Sequence, residues 1–364
     1  MTELIVQNKQ ITRIEVLPTE KFGADSPAII HIRNEVVLTA GCFQTPQLLL
    51  LSGIGPAKEC VAHGIPLIQD LPAVGQNLQD HSALACKVIF NPSIPGHNQL
   101  LNDPPALEMA IEQYNSTRSG LLAVFGASAA IIFPKLPNLL ASKEFNTLPA
   151  STKTFMAADS RLSTEIWMHY GPLCYSGPRP PDASVLVLQG LCQNNLSRGL
   201  LKLASSNPRD FPVIDPGYLS HPYDMKIAVE TLREIVGLAQ TPTFSSIIQS
   251  ILLCLRSAIE NNALAVISGA DDDILKDFVW ENLTQCFHAM STCVMGKLSD
   301  RNKVVGNALR VEGVRHLRSA DMSVCPILTS NYTQINAYLI GERCVEFILS
   351  SMSATASQTE KLRL

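Results

Sequence analysis

The segment VVLTAGCFQTPQLLLLSGIGP, residues 36–56, limits the fold of this chain more than any other stretch. Val36 and Val37 are β-branched and end an alternating run over residues 28–39, which predicts a strand packed in a sheet. Ala40 and Gly41 follow, and their small side chains let a backbone or a ligand approach closely. Thr45 and Pro46 are then expected to start a helix carrying Leu48–Leu51. Two readings of this strand, small turn and helix stay open: Thr45 caps the helix, or the unpaired N–H groups of the helix N-terminus meet the pyrophosphate of a dinucleotide. A lone turn of this kind favours the cap. Residues 4–17 alternate in the same β-like way, with a polar loop containing Gly23, Ser26 and Pro27 between the two runs.

A chain of 364 residues that is 46% hydrophobic and 16% charged has ample core for two subdomains of a soluble globular protein. A net charge of −4 offers no basic field, so neither nucleic acid nor an anionic membrane is an expected partner. The ten cysteines show no CxxC or Cys/His ligand spacing and are read as buried free thiols. Residues 1–16 lack the long apolar run of a signal peptide, and Leu121–Phe133 falls short of the ~20 residues of a membrane span. The expected location is therefore cytoplasmic, or secreted if a further N-terminal part exists. Leu121–Phe133 is expected in the core.

Along the middle of the chain, Ser184–Leu191 reads as a strand with Leu200–Leu203 as its partner, and Trp167, His169 and Tyr170 either line a pocket or, as aromatic clusters more often do, belong to the core. Residues 224–240 predict an amphipathic helix capped by Asp224, with Ile227, Leu232, Ile235 and Val236 inward and Glu230, Arg233 and Glu234 facing water. Residues 271–282 predict a second helix opened by the acidic run Asp271–Asp273, which suits a helix N-terminus better than a metal.

The candidate chemistry lies between Cys286 and Glu342. His288 sits in the loop CFHAMSTCVMG, Ser319–Ser323 reads as a tight turn beside a ligand, and Asn331-Tyr332 precedes a helix. A histidine paired with a second polar side chain can accept a proton and hold developing negative charge. His288 with a second polar side chain suits that task, although spacing alone leaves a structural loop histidine open.

The blocks GCFQTPQLLLLSGIG (41–55), GIPLIQDLPAVGQNLQDH (64–81), NLSRGLLKLASSNPRDFPVIDPGYLSHPYD (195–224), HAMSTCVMG (288–296) and LRSADMSVCP (317–326) resemble, in order, those of the glucose–methanol–choline (GMC) flavoprotein oxidoreductases, nearest to the fungal aryl-alcohol and choline branch. The resemblance implies an α/β fold with an α+β substrate domain. In it, residues 1–80 and 290–364 form an incomplete Rossmann-type FAD-binding subdomain, and residues 81–289 an antiparallel-sheet substrate-binding subdomain. A C-terminal helix is expected over Ile335–Leu349.

The same resemblance implies FAD as cofactor and an alcohol as substrate, with His288 as catalytic base, oxidised by a dehydrogenase or oxidase in a tailoring step of fungal secondary metabolism. Tyr332, six residues beyond Pro326, falls where the family carries His or Asn, with Asn331 adjacent. Ala320, Asp321, Thr333 and Gln334 fall where the family meets the flavin and ribityl portions. Two departures stand out. Cys42 replaces a small residue such as Ala, and no GxGxxG phosphate loop occurs in the chain. A separate N-terminal FAD-binding half or a homo-oligomer is therefore an expected partner. A non-catalytic fragment or binding module, and a lyase on the same scaffold, are the open alternatives.

Overall fold

The computed structural model describes residues 2–18, 26–91, 103–123, 128–170, 185–252, 272–297, 299–300 and 302–361. Two units pack separately: one from Met1–Asp80, Ser197–Ser220 and Phe287–Leu364, the other from His81–Leu196 and His221–Cys286.

In the first unit, strands Glu3–Gln7, Gln10–Val16 and Ala28–His31 form an antiparallel sheet. Asn8 and Lys9 both take positive φ, 49° and 59°, as a two-residue hairpin with a primed turn demands. Val36–Leu38 pairs in parallel with Leu317–Ser319 and leads into the helix Gly41–Leu51. All four leucines of its Leu48–Leu51 run are buried, since four consecutive residues span more than a full turn. They pack with Leu4, Ile11, Leu38, Ile54, Leu201, Val304 and Leu317.

The helix starts a turn earlier than expected, and Thr45 is not its cap. Thr45 Oγ1 accepts from Ala40 N (3.2 Å) and donates to Asp321 Oδ2 (2.6 Å). Pro46 lies inside the helix and has no N–H for the Cys42 carbonyl one turn back. Thr292 Oγ1 supplies the missing donor to that carbonyl at 2.6 Å.

Leu200–Leu203 is not the partner of the strand at residues 184–191. Gly199–Lys202 pairs with Val213–Asp215 and Gln76–Leu78, and Leu201 and Leu203 join the first unit's core. Residues 197–220 therefore interrupt the expected subdomain 81–289 and pack with the terminal segments. A Cβ on Gly199 would lie 2.2 Å from the Asp215 carbonyl oxygen and 2.6 Å from that of Pro216. Both are backbone atoms that cannot swing aside, so Gly199→Ala is expected to cost about 2 kcal/mol in urea unfolding.

The second unit is built on an antiparallel sheet in the order Ile248–Leu252, Ser82–Phe90, Val185–Cys192, Thr164–Tyr170, Ser128–Ile132, with Thr284–Gln285 also on Ser82–Phe90. The edge strand Ser128–Ile132 corrects the core reading of Leu121–Phe133: Leu121, Ile131, Ile132 and Phe133 are all exposed, and residues 124–127 lie outside those described. Trp167 and His169 lie on the strand Thr164–Tyr170, His169 fully buried; the side chain of Tyr170 lies outside those described.

Helix Pro222–Ala239 covers one sheet face, with Thr231 and Ile235 against Gly190. Its N-cap is His221, whose Nδ1 accepts from Tyr223 N (3.1 Å), while the Asp224 carboxylate accepts from Leu196 N (2.8 Å). Glu230 is buried rather than facing water. Lys226 and Arg233, each 2.8 Å away, pair with it from the same helix, and both also reach Asp272 at the start of the helix Asp272–Asn282. A carboxylate enclosed by two cations is satisfied without solvent.

The described cysteines are free thiols, all but Cys286 buried, and burial pushes Cys42 and Cys192 up to about 12; Cys174 and Cys254 lie outside the described residues. Among the described residues no helix is long and apolar enough to cross a membrane.

Candidate active site

The loop that carries His288 is bent by two non-glycine residues in the left-handed region, Phe287 (φ 59°) and Ser291 (φ 79°). Such residues cost about 1–3 kcal/mol each and persist only where surrounding contacts hold them. Gln79 and Asp80 provide those contacts. Gln79 and Met290 exchange backbone hydrogen bonds of 3.1 and 2.9 Å. Gln79 Nε2 donates to Ser291 Oγ (2.8 Å), and its Oε1 accepts from Leu328 N (3.1 Å). Asp80 Oδ1 accepts from the backbone N–H of His288 (2.9 Å), and Asp80 Oδ2 from the Tyr218 hydroxyl (2.6 Å). Sequence reasoning missed Gln79, Asp80 and Tyr218. The only signal for Gln79 and Asp80 was the adjacent polar pair of NLQDH, and Tyr218 lay unmarked in PGYLSHPYD.

His288 is half-buried, and that burial pushes its imidazole below the ordinary 6.5, which favours the neutral ring. Its ring meets that of Tyr332 edge to face, with centres 5.9 Å apart and planes at 82°. Asn331 is engaged elsewhere: its amide exchanges hydrogen bonds of 3.2 and 3.1 Å with Asn336, which also donates to Thr329 Oγ1 (2.6 Å). Of the two partner candidates, Tyr332 is the one placed beside His288. Its 40% exposure leaves the phenol reachable.

Ala320 donates from its backbone to Leu38 O (2.8 Å), which continues the parallel pairing. Asp321 follows directly in the chain. The carboxylate turns inward, with Oδ2 accepting from Gly41 N (3.0 Å) and Thr45 Oγ1 (2.6 Å) and Oδ1 from Ser323 N (2.8 Å). It thus places negative charge at the N-terminus of the helix Gly41–Leu51 and caps the short 3-10 turn Met322–Val324. Thr333 and Gln334 open the helix Thr333–Lys361, longer at both ends than Ile335–Leu349.

The donor set fits the ring end of FAD. The first N–H groups of the Thr333–Lys361 helix have no carbonyl within the helix to pair with and favour an electron-rich ring edge. A Cβ built on Gly41, at φ +82°, meets no atom within 4 Å, so this backbone borders open space. The phosphate end finds no glycine-rich loop in the chain, and the helix N-terminus at Gly41 already holds the carboxylate of Asp321.

Comparison with known proteins agrees with this geometry. The GMC oxidoreductase signatures match residues 2–83 and 195–341. Glucose methanol choline oxidoreductase atC of Aspergillus terreus is 31% identical over 321 residues, covering 88% of this chain and 49% of that protein. A variant of Aspergillus oryzae formate oxidase superposes with a TM-score of 0.82 at 25% identity, over 97% of this chain and 60% of its own. A fungal aryl-alcohol oxidase superposes with a TM-score of 0.75 at 25% identity, over the same shares of the two chains, 97% and 60%. Fold and relatives define a flavoprotein-type oxidoreductase scaffold. The chain belongs to the GMC oxidoreductase family and spans about half the length of the curated relative it matches.

Proposed function

We propose that this chain carries the proton-transfer machinery of an FAD-dependent alcohol oxidoreductase, a dehydrogenase or oxidase acting as a tailoring enzyme of fungal secondary metabolism. The observation that carries the reading is the half-buried His288 set edge to face against the exposed phenol of Tyr332. His288 accepts the proton of the substrate hydroxyl, and the Tyr332 hydroxyl donates a hydrogen bond to the oxygen as negative charge develops on it. Asp321 and the backbone at Thr333 and Gln334 would hold the ring end of the cofactor, with Ala320 close by. Bound FAD would supply the acceptor for the two electrons leaving the carbinol carbon.

A complementary FAD-binding half completes the site. Parallel sheets are found almost only with both faces covered, yet Val36–Leu38 and Leu317–Ser319 pair with no further strand among the described residues. The helix Thr333–Lys361 also exposes Ile335, Tyr338, Val345, Leu349 and Met352 at helical spacing.

The test is the visible absorption spectrum of the purified chain after FAD is added and the excess removed, alone and mixed with the phosphate-loop half of a homologous protein. Flavin is expected to be retained in the mixture and to bleach when an aryl alcohol is added without oxygen. No retained flavin in either sample overturns the cofactor assignment. Turnover without bleaching would identify a lyase instead.

A further inference from the structure

Two left-handed turns of the first unit border one open groove of about 580 Å³, whose walls include Asn8, Lys9, Arg310, Glu312, Gly313 and Arg315. Asn8 and Lys9 (φ 49° and 59°) make one turn, and Gly313 (φ 72°) lies in the other. Backbone hydrogen bonds tie the two together, from Arg315 N to Lys9 O (2.8 Å) and from Ile11 N to Arg315 O (3.1 Å). Gln69 Oε1 accepts from Lys9 Nζ (3.0 Å), and a Cβ on Gly313 would lie 2.5 Å from the same amide. The fold thus fixes side chains from residues 8–9 and 310–315 around one space.

The charge of that space is unbalanced. Lys9, Arg310 and Arg315 are exposed, and their side chains donate to neutral acceptors: Gln69 Oε1, Ser351 Oγ (3.1 Å) and Asn8 O (3.1 Å). No carboxylate among the described residues pairs with any of them, and Glu312, the acid of the groove, pairs with Lys303 at 3.4 Å instead. In a chain of net charge −4, three cations held together without a counter-charge repel one another, a cost that a bound anion removes.

The groove is separate from the ring end of FAD. Val36–Leu38 and Leu317–Ser319 run parallel, and their C-terminal ends lead to Gly41 and Asp321, the end at which an open parallel sheet takes its ligand. Arg315 precedes Leu317–Ser319 at the opposite end, and a strand of that length spans about 10 Å.

We propose that this groove binds a small polyanion, a molecule with two or more closely spaced phosphate or carboxylate groups. Two guanidinium forks present paired N–H groups that match the oxygens of either group, and the Lys9 ammonium adds a third charge. An apolar body finds little surface there, because Val311 and Val314 are buried in the core of the unit. The site uses none of the residues assigned to alcohol oxidation and does not rest on that function.

Calorimetric titration of the full 364-residue chain, without flavin and at low salt, with pyrophosphate, citrate and acetate in turn is the test. Pyrophosphate or citrate is expected to bind with a Kd at least ~10-fold below that of acetate, since each further charge that meets a cation adds attraction. The tighter of the two distinguishes a phosphate ligand from a carboxylate one. Lys9→Gln and Arg315→Gln are each expected to raise that Kd ~5-fold, the upper contribution of an exposed ion pair. Lys58→Gln removes the same charge from the helix Ala57–Ala62, outside the groove, and should leave Kd within ~2-fold because salt screens distant charges.

The Lys9 side chain touches only Gln69 by hydrogen bond, so Lys9→Gln keeps the measurement decisive even where Arg315→Gln weakens the fold. Failure of both polyanions to bind more tightly than acetate overturns the proposal. Equal losses in Lys9→Gln and Lys58→Gln also overturn it, since they would show attraction to net charge alone.

Discussion

Replacing His288 by Ala is expected to lower kcat of the flavin-loaded protein by about 10²–10⁴, the usual contribution of a positioned general base. The substitution removes the imidazole but keeps the backbone N–H that Asp80 Oδ1 accepts at 2.9 Å, so the loop remains held and flavin retention should be unchanged. The pH profile gives an independent reading. Burial lowers the imidazole below 6.5, so the base is free above that value and becomes protonated only as pH falls through the lowered value. For the parent protein kcat/KM should therefore rise with pH on the acid side and level off above about 6.5, a limb that His288→Ala should lack. Stability carries the same sign. A histidine with a depressed folded pKa contributes stability that is full above the unfolded value and is lost as pH falls through the folded one. A variant with kcat within ~3-fold of the parent would remove His288 from the chemistry, since a base contributes ~100-fold or more.

Asp321→Ala should produce the largest loss of stability, about 4 kcal/mol, read as a fall in the urea midpoint at unchanged slope. The carboxylate is 9% exposed and accepts from Gly41 N, Thr45 Oγ1 and Ser323 N. Hydrogen bonds to charged groups contribute ~1.5–3 kcal/mol each, and their loss together is less than additive because Thr45 keeps its bond from Ala40 N. The variant also frees the turn at Met322–Val324, which follows Ala320 and Asp321 in the chain, so retained flavin should fall with stability. A loss below ~1 kcal/mol would mean that water replaces the carboxylate at little cost.

Local pattern carried a good part of the fold. The leucine run announced a buried helix, the β-branched residues at 28–39 announced strands, and the 3.6 period over residues 224–240 announced the long helix within two residues at its start. Each depends on neighbours a few residues apart, and a linear pattern records those. The helix start at Gly41 was not legible, because its stabilising carboxylate lies 280 positions away. Nor was the burial of Glu230, which depends on Asp272 drawing Lys226 and Arg233 to one place as much as on the helix itself.

The candidate site divides along the same line. The residue types, His288 beside a short motif and a phenol before the last helix, were readable in the chain, as was the match to a flavoprotein family. Which of Asn331 and Tyr332 meets the histidine was decided by the fold, since one residue of rotation turns Asn331 toward Asn336 and Tyr332 toward His288. The left-handed conformations at Phe287 and Ser291 were likewise set from outside, by Gln79, Asp80 and Tyr218. Periodicity is a property of near neighbours along the chain, whereas hydrogen bonds that hold a strained loop come from segments far apart in it and form only once those segments pack.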